Sequence, residues 1–175
     1  MDFYRDTDAR ARAMQAPQAA APSGFDWNDW KPDEAASLPI TLTRPGACSC
    51  DSPSPCCEPG PPYPWIRQTG LIGIERGDAV TDDGQEVFNL LEQTGVADVI
   101  VMGVHTNVCV LGRPYGIRQL VRLGKRRVLC ADLTDSFHRD PHGHAWGTAQ
   151  IAAHIERRWC PVVASDMLVG AMPSP

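Results

Sequence analysis

The sequence predicts an α/β fold built on a parallel sheet. From about residue 69 onward, short β-branched runs alternate with longer segments of helical periodicity, which is typical of parallel strands joined by helices. The run 99–104 holds only apolar residues and glycine, as buried strands of parallel sheets do. Few aliphatic residues and most of the prolines lie before this region, so the sheet belongs to the carboxyl-terminal part of the chain.

Seven elements are predicted, and each has its own sequence signal. Gly103 permits a sharp turn after the central apolar strand, and Thr106 and Asn107 are predicted to cap the helix that follows. Pro114 predicts a kink in that helix, or a start near Gly112. In order, the elements are strand 69–74, helix 81–94, strand 98–104, helix 108–123, strand 127–133, helix 144–159 and strand 162–164.

Composition divides the chain near Gln68. We predict an irregular segment, 1–67, rich in Pro, Ala and Cys with a short helix near its start, then a domain, 68–168, and a tail, 169–175. Three aromatic residues within the first segment, Phe25, Trp27 and Trp30, are expected to pin it onto the domain.

Charge and hydropathy limit the classes of partner. The net charge of -5 and the pI of about 5.4 argue against nucleic acid or an anionic membrane. There is no apolar run of about 18 residues, and the first 30 residues lack the hydrophobic core of a signal peptide. We therefore expect a cytoplasmic protein whose partner is a small-molecule substrate.

Cys109 is the strongest candidate for a catalytic residue. It follows a buried strand and a tight turn, and it falls in the predicted first turn of a helix. Unpaired N–H groups and the positive end of the helix dipole stabilise a thiolate there. Cys130 and Cys160, on a predicted strand and at a helix end, are interpreted as structural.

The stretch GVHTNVCV, 103–110, resembles the signature of the isochorismatase-like cysteine hydrolases, which include nicotinamidases, N-carbamoyl amidohydrolases and isochorismatases. The similarity continues through LGRPYGIRQLV, VLCADLTDS and HAWGTAQIAAHIERRWCP, over roughly residues 65 to 168. It implies a Rossmann-like, doubly wound parallel sheet with helices on both faces. It also implies hydrolysis of a small amide-type C–N bond through a Cys109 thioester, with the backbone N–H groups of His105 and Cys109 as the oxyanion hole and a cis peptide between Val104 and His105.

The resemblance further implies a catalytic triad of Asp, Lys and Cys, of which this sequence offers only the Cys. The chain start resembles the segment after the second strand of relatives, so the amino-terminal strands and the Asp are expected to be missing. Glu75 and Arg76 stand where the Lys is expected, and the lysines are Lys31 and Lys125. The chain is then either truncated or a non-catalytic relative that serves as a binding or assembly module.

Three further residues are predicted to bind substrate: Arg113, Glu75 and Asp135. Arg113 lies one helical turn from Cys109 and is suited to a substrate carboxylate, with a solvated arginine as the alternative. Acidic residues after two predicted strands, at 75–78 and 132–135, point to the same edge of the sheet. Within the first group, Glu75 or Asp78 is a poor substitute for the missing general base.

Two clusters suggest metal chemistry, but neither has a specific metal-binding spacing. His138, His142 and His144 with Asp140 are interpreted as ordinary loop residues, and a metal site there stays an alternative. Cys48, Cys50, Cys56 and Cys57 either bind zinc, pair as disulfides or stay free in a flexible insert. We predict no metal and no cofactor, and we expect exposed apolar sheet edges to favour association of copies into a homo-oligomer.

Overall fold

The computed structural model describes residues 2–27, 37–40, 67–138 and 142–171. Short single turns occur at Asp2–Tyr4, which is a 3₁₀ turn, and at Thr106–Val110, which is a π-helical turn. The helices and strands of the described ranges are α1 Asp8–Gln15, α2 Gly84–Gln93, β1 Asp98–Val104, α3 Ile117–Arg122, β2 Arg126–Asp135, α4 His144–Arg158, β3 Val162–Val163 and α5 Ser165–Ala171.

The three strands form one parallel sheet in the order β1-β2-β3, which confirms the predicted α/β class. Asp98 lies opposite Arg126, and pairing continues to Val101 opposite Leu129. After a register shift it resumes with Val104 opposite Asp135. Between these paired stretches β2 contributes the extra residues, and the carboxyl ends of β1 and β2 still meet at one edge.

The hydrophobic core lies where α3 and α4 pack on β2. Ile151 and Ile155 are one helical turn apart on α4, and both are fully buried, as is Leu129 on β2. Burying each such side chain stabilises the fold by about 1.5–3 kcal/mol. The cluster consists of Ile40, Val110, Leu111, Ile117, Leu129, Ile151, Ile155 and Cys160.

The predicted strand 69–74 is wrong. This segment forms a turn in which the Ile72 N–H donates to the Thr69 carbonyl, 3.2 Å away, and Leu71 is 94% exposed. A strand is stable only where a neighbour binds its backbone N–H and C=O groups. Within the described residues β1 pairs with β2 and with no second strand, so the segment finds no such ladder.

The predicted helix 108–123 is interrupted around Pro114, where the sequence predicts a kink, and the helix after the interruption begins at Ile117 and not near Gly112. The chain turns after the π-helical turn, and α3 begins at Ile117 with Gly116 as its N-cap. A Cβ on Gly116 would lie 2.8 Å from the Val110 carbonyl oxygen, so only glycine allows this close approach. The residue before α3 therefore lies against the turn that carries Cys109, whose carbonyl oxygen would be 3.0 Å from the same Cβ.

A short helix missed by the sequence analysis, α5, follows β3. It begins at Ser165, whose N–H and hydroxyl donate to the two carboxylate oxygens of Asp132 at 2.8 and 2.5 Å. Asp132 thus caps α5, and the donors from Ser165 hold the pKa of its carboxyl below the usual value. One of the acidic residues at the end of β2 therefore has a structural role.

The amino-terminal residues pack onto the domain through α2. Trp27 lies 6.3 Å from Phe88 and 4.5 Å from Phe25, measured between ring centroids. The Asp26 carbonyl also accepts a hydrogen bond of 2.7 Å from the buried Gln119 side chain. The expected aromatic contact with the domain is confirmed for Trp27, Phe25 packs on Trp27, and Trp30 lies outside the described residues.

Within the described ranges, every helix is too short or too polar to cross a membrane.

Candidate active site

Cys109 lies in a π-helical turn immediately beyond the carboxyl end of β1. Gly103 adopts a φ of +112°, and the peptide bond between Val104 and His105 is cis, as the resemblance implies. The N–H groups of Val108 and Val110 then donate to the His105 carbonyl at 3.0 and 3.1 Å. The turn therefore folds tightly around the His105 carbonyl and carries Cys109 between these two donors.

The Cys109 thiol differs from the other described cysteines in its exposure. It is half-buried and unbridged, whereas Cys130 and Cys160 are buried. Burial raises the pKa of the Cys130 and Cys160 thiols, and the Asp132 carboxylate adds to this effect at Cys130. Across the described part of the chain, no side chain hydrogen-bonds to Cys109 Sγ.

Thr106 and Asn107 do not cap the turn as predicted. The N-cap is His105, which makes no side-chain capping bond. Thr106 and Asn107 lie inside the turn and are fully buried, so their polar groups bond across to the end of β2. Thr106 binds Thr134 through the two hydroxyl oxygens, 2.7 Å apart, and Asn107 binds the backbone of Phe137.

His105 projects its imidazole toward Phe137, with ring centroids 5.2 Å apart. Burial lowers the pKa of this histidine, and the nearby Asp135 carboxylate opposes the shift. The neutral imidazole is therefore the favoured form at pH 7. The rings of His105 and Phe137 together line one side of the region where β1 and β2 end.

Asp135 stands opposite Val104 in the sheet, so it reaches the edge where the cysteine turn begins. Its Oδ1 accepts hydrogen bonds from the Ser136 N–H at 2.9 Å and from the Thr148 hydroxyl at 2.8 Å. Thr148 lies near the start of α4, so the carboxylate joins β2 to that helix. Cys109 and Asp135 are thus on the same edge, as the pattern of strand ends predicts.

Glu75 and Asp78 are exposed, and they contact each other and α1. The Glu75 N–H donates to Asp78 Oδ2 at 2.8 Å, and the Arg12 side chain donates to the Asp78 carbonyl. None of these contacts reaches the cysteine turn. Arg113 is half-buried, and its N–H donates to the Cys109 carbonyl at 3.2 Å.

Lys125 lies at the opposite end of the sheet from Cys109. It immediately precedes β2, and its Nζ contacts Glu92 Oε1 at 2.6 Å and the Val96 carbonyl at 2.7 Å. These partners fix it beside α2, where it cannot assist the thiol. Lys31 lies outside the described residues.

The two candidate metal clusters are only partly described. His138 is buried against α4, where a Cβ on Gly147 would lie 1.9 Å from its Nε2, and the ring of His142 lies 4.8 Å from Trp146. Asp140 and the side chain of His144 lie outside the description, as do Cys48, Cys50, Cys56 and Cys57. In the ranges that are described, no three His, Cys, Asp or Glu side chains form a group suited to a metal ion.

Sequence reasoning missed three residues that build this edge: Thr134, Phe137 and Thr148. Each acts through a non-local hydrogen bond, by hydroxyl or by backbone. Thr134 occupies a strand, where threonine is common for its β propensity, so its hydroxyl gives no separate signal. The useful signal is the acidic, hydroxyl-rich exit of β2, TDS at 134–136.

Comparison with known proteins finds a family model that matches the part of the chain containing this edge. Residues 76–158 match the family model of the isochorismatase domain, and this range includes β1, the cysteine turn, β2 and all of α4. No curated protein and no solved structure matches the chain. Residues 76–158 of this chain are therefore similar to the isochorismatase domain, and strands β1 and β2 of the parallel α/β sheet lie within that range.

Proposed function

We propose that the chain is a cysteine hydrolase that cleaves a small amide-type C–N bond, with Cys109 as the nucleophile. The isochorismatase domain is of a hydrolase type, which supports the reaction class. The observation that carries the proposal is the half-buried Cys109 thiol in a tight turn at the carboxyl end of β1. Ligands bind at this end of the strands in open parallel sheets.

In the proposed reaction, the Cys109 thiolate attacks the amide carbonyl carbon and forms a tetrahedral oxyanion. The backbone N–H groups of His105 and Cys109 stabilise that oxyanion, an effect of about 3 kcal/mol per donor. The C–N bond then breaks, the amine leaves with the proton that the Cys109 thiol lost on ionising, and a thioester remains on Cys109. Water attacks the thioester, which releases the carboxylic acid and restores the thiol.

Substrate binding is proposed for Arg113, Asp135 and Glu75. Arg113 lies one helical turn after Cys109 in the sequence, and its guanidinium is suited to bind a substrate carboxylate. Asp135 ends the strand beside the cysteine turn. Glu75 is the weakest of the three, because its segment is exposed and contacts α1.

One observation favours a second candidate, a non-catalytic relative that keeps the fold as a binding or assembly module. Within the described residues, neither a carboxylate nor a lysine hydrogen-bonds to Cys109 Sγ. A thiol without a nearby base lacks a group that accepts its proton and later delivers a proton to the leaving amine. The two candidates therefore agree on thiol reactivity and differ in turnover.

The first test is site-resolved alkylation of the native chain by iodoacetamide at neutral pH. Peptide mass spectrometry follows Cys109, Cys130 and Cys160 separately. We expect Cys109 to react at least about tenfold faster, because the raised pKa values of the two buried thiols leave them protonated. Equal, slow labelling of all three would overturn the nucleophile assignment.

A second test separates hydrolase from binding module. The chain is incubated with 4-nitrophenyl acetate as an activated acyl donor, and acylated peptides are identified after quenching, with Cys109→Ser as the matched control. An acyl group on Cys109 that is lost over time, with continued nitrophenol release, supports the hydrolase. An adduct that persists without further release supports the non-catalytic candidate.

A further inference from the structure

Residues 25–27 of the amino-terminal part contact α2, α3 and the loop that precedes α3. A Cβ placed on Gly84, the buried first residue of α2, would lie 2.8 Å from Trp27 Cε3 and 2.6 Å from the Pro114 carbonyl oxygen. The Trp27 ring and Pro114 therefore meet at the start of α2. Beside Trp27, the Asp26 carbonyl accepts the hydrogen bond of 2.7 Å from the Gln119 side chain of α3.

Pro114 belongs to the loop 113–116, which lies directly against the cysteine turn. The Arg113 N–H donates to the Cys109 carbonyl at 3.2 Å, and the Gly116 N–H donates to the Arg113 carbonyl at 2.8 Å. A Cβ on Gly116 would lie 3.0 Å from the Cys109 carbonyl oxygen. The loop and the turn are in backbone contact, so a shift of the loop changes the packing around Cys109.

We propose that residues 25–27 act as a strap that holds the loop 113–116 against the cysteine turn, so that release of Trp27 increases access to the Cys109 thiol. The inference goes beyond the proposed function, because access to a thiol does not depend on turnover. The strap connects the amino-terminal part of the chain to the candidate site through Pro114.

The burial of the strap is consistent with local release. Residues 25–27 are each half-buried, and Trp27 is held by ring contacts with Phe25 and Phe88. Segments with partial burial open at a lower free energy than core elements do. Cys109 is half-buried as well, so loosening of the backbone packed on it exposes the sulfur further.

The test is the rate at which iodoacetamide labels each cysteine of the full chain in wild type and Trp27→Ala, resolved by peptide mass spectrometry. The buried Cys130 and Cys160 report opening of the whole fold in the same molecules. Trp27→Phe keeps an aromatic ring beside Pro114. Phe3→Ala is the matched control, because Phe3 is a 51% exposed aromatic residue of the amino-terminal part whose ring packs on Tyr4.

Gly84→Ala tests the same contact from the side of α2. Its added Cβ would lie under 3.0 Å from both Trp27 and Pro114, so at least one of them has to move. This variant keeps the Trp27 ring, and it provides the test should Trp27→Ala fail to fold.

We expect Cys109 labelling to rise by about fivefold in Trp27→Ala and in Gly84→Ala, with unchanged rates at the two buried cysteines. Trp27→Phe and Phe3→Ala should match the wild type. An unchanged or lower Cys109 rate, or an equal rise at all three cysteines, would overturn the proposal. A wild-type Cys109 as slow as Cys130 that accelerates only in Trp27→Ala and Gly84→Ala would support the strap and contradict the proposed nucleophile.

Discussion

The side-chain amide of Asn107 binds both backbone groups of Phe137. Asn107 Nδ2 donates to the Phe137 carbonyl, and the Phe137 N–H donates to Asn107 Oδ1, each at 2.8 Å. A backbone segment beyond β2 is thus held by one buried side chain of the cysteine turn. The position of the Phe137 ring, which faces His105, depends on this pair of bonds.

Replacing Asn107 by alanine should lower the free energy of unfolding by about 1–3 kcal/mol, because two backbone groups of Phe137 lose their partners. Equilibrium urea unfolding measures the change. Gln93→Ala, at the exposed end of α2, is the control and should stay within about 0.5 kcal/mol of the wild type. Equal effects of the two substitutions would contradict a stabilising role for this pair of hydrogen bonds.

Gly147→Ala should destabilise the fold, because the added Cβ would lie 1.9 Å from Nε2 of the buried His138. The expected loss is about 1–3 kcal/mol, measured as a fall in Tm. Gly170→Ala on α5 is the matched control, since its Cβ meets nothing within 4 Å. The loss should shrink in the double variant with His138→Ala, and strict additivity would argue against direct contact.

Glu86→Gln should weaken the attachment of α1 to α2. Arg10 forms a bidentate pair with Glu86 in which the Nη2 to Oε1 distance is 3.1 Å, and this pair holds the pKa of Glu86 below its usual value. The side chains are 15% and 22% exposed, so we expect a loss of about 1–2 kcal/mol. Urea unfolding at neutral pH measures it.

The sign of the Glu86 effect with pH provides an internal check. Because its folded pKa is depressed, the stabilisation is complete above the unfolded value of 4.5 and is lost as pH falls through the folded pKa. Wild type and Glu86→Gln should therefore converge in acid. Asp2→Asn, at an ion pair with 70% and 93% exposed side chains, should change little at any pH.

The free energy of unfolding should fall in mild acid because the buried His154 resists protonation in the folded chain. Burial lowers the pKa of His154, and the neighbouring Arg158 and Arg157 add to the shift. Below the unfolded value of 6.5 the unfolded chain takes up a proton that the folded chain resists, so stability falls as pH decreases.

The measurement is the slope of unfolding free energy against pH between about 7 and 5. His154→Gln should flatten it, and His142→Gln, at an exposed position, should leave it unchanged. His105 retains its own contribution in both variants, because burial also lowers its pKa. A slope that is the same in all three chains would refute the assignment to His154.

We also expect copies of the chain to associate through β1. Ile100 and Met102 are each 48% exposed and Val104 is 62% exposed, and alternation places these apolar residues on one face. Met102→Lys should lower the sedimentation coefficient at high protein concentration. Met14→Lys, at a 62% exposed site on α1, is the control, and a wild type that stays monomeric would contradict the expectation.

Local sequence was a good guide where local forces decide the structure. The apolar run that defines β1 gave its bounds correctly, since β-branched residues and Gly103 mark both its nature and its end. The helix predicted over 108–123 breaks at Pro114, where a kink was predicted, but it resumes at Ile117 and not near Gly112. The strand predicted over 69–74 failed for a non-local reason, the lack of a pairing neighbour among the described strands.

The location of the site was predictable from the sequence, but its hydrogen bonds were not. The position of Cys109 after β1, and of Asp135 beside it, follows from the rule that parallel strand ends meet. The Thr106 to Thr134 bond and the Asp132 cap join residues about 30 positions apart, and polar side chains at that separation carry no pairing signal in one sequence.

At the register shift, Met102 of β1 faces the four residues 130–133 of β2, and this mismatch makes the edge of the sheet adjustable. Val101 and Leu129, the last pair before the shift, pack in the hydrophobic core, and Val110 at the end of the cysteine turn packs there too. Insertions or deletions between Cys130 and Thr134 would leave the pairs from Asp98 and Arg126 to Val101 and Leu129 in register. Segment length in β2 thus offers an evolutionary route to a reshaped sheet edge that keeps these pairs in place.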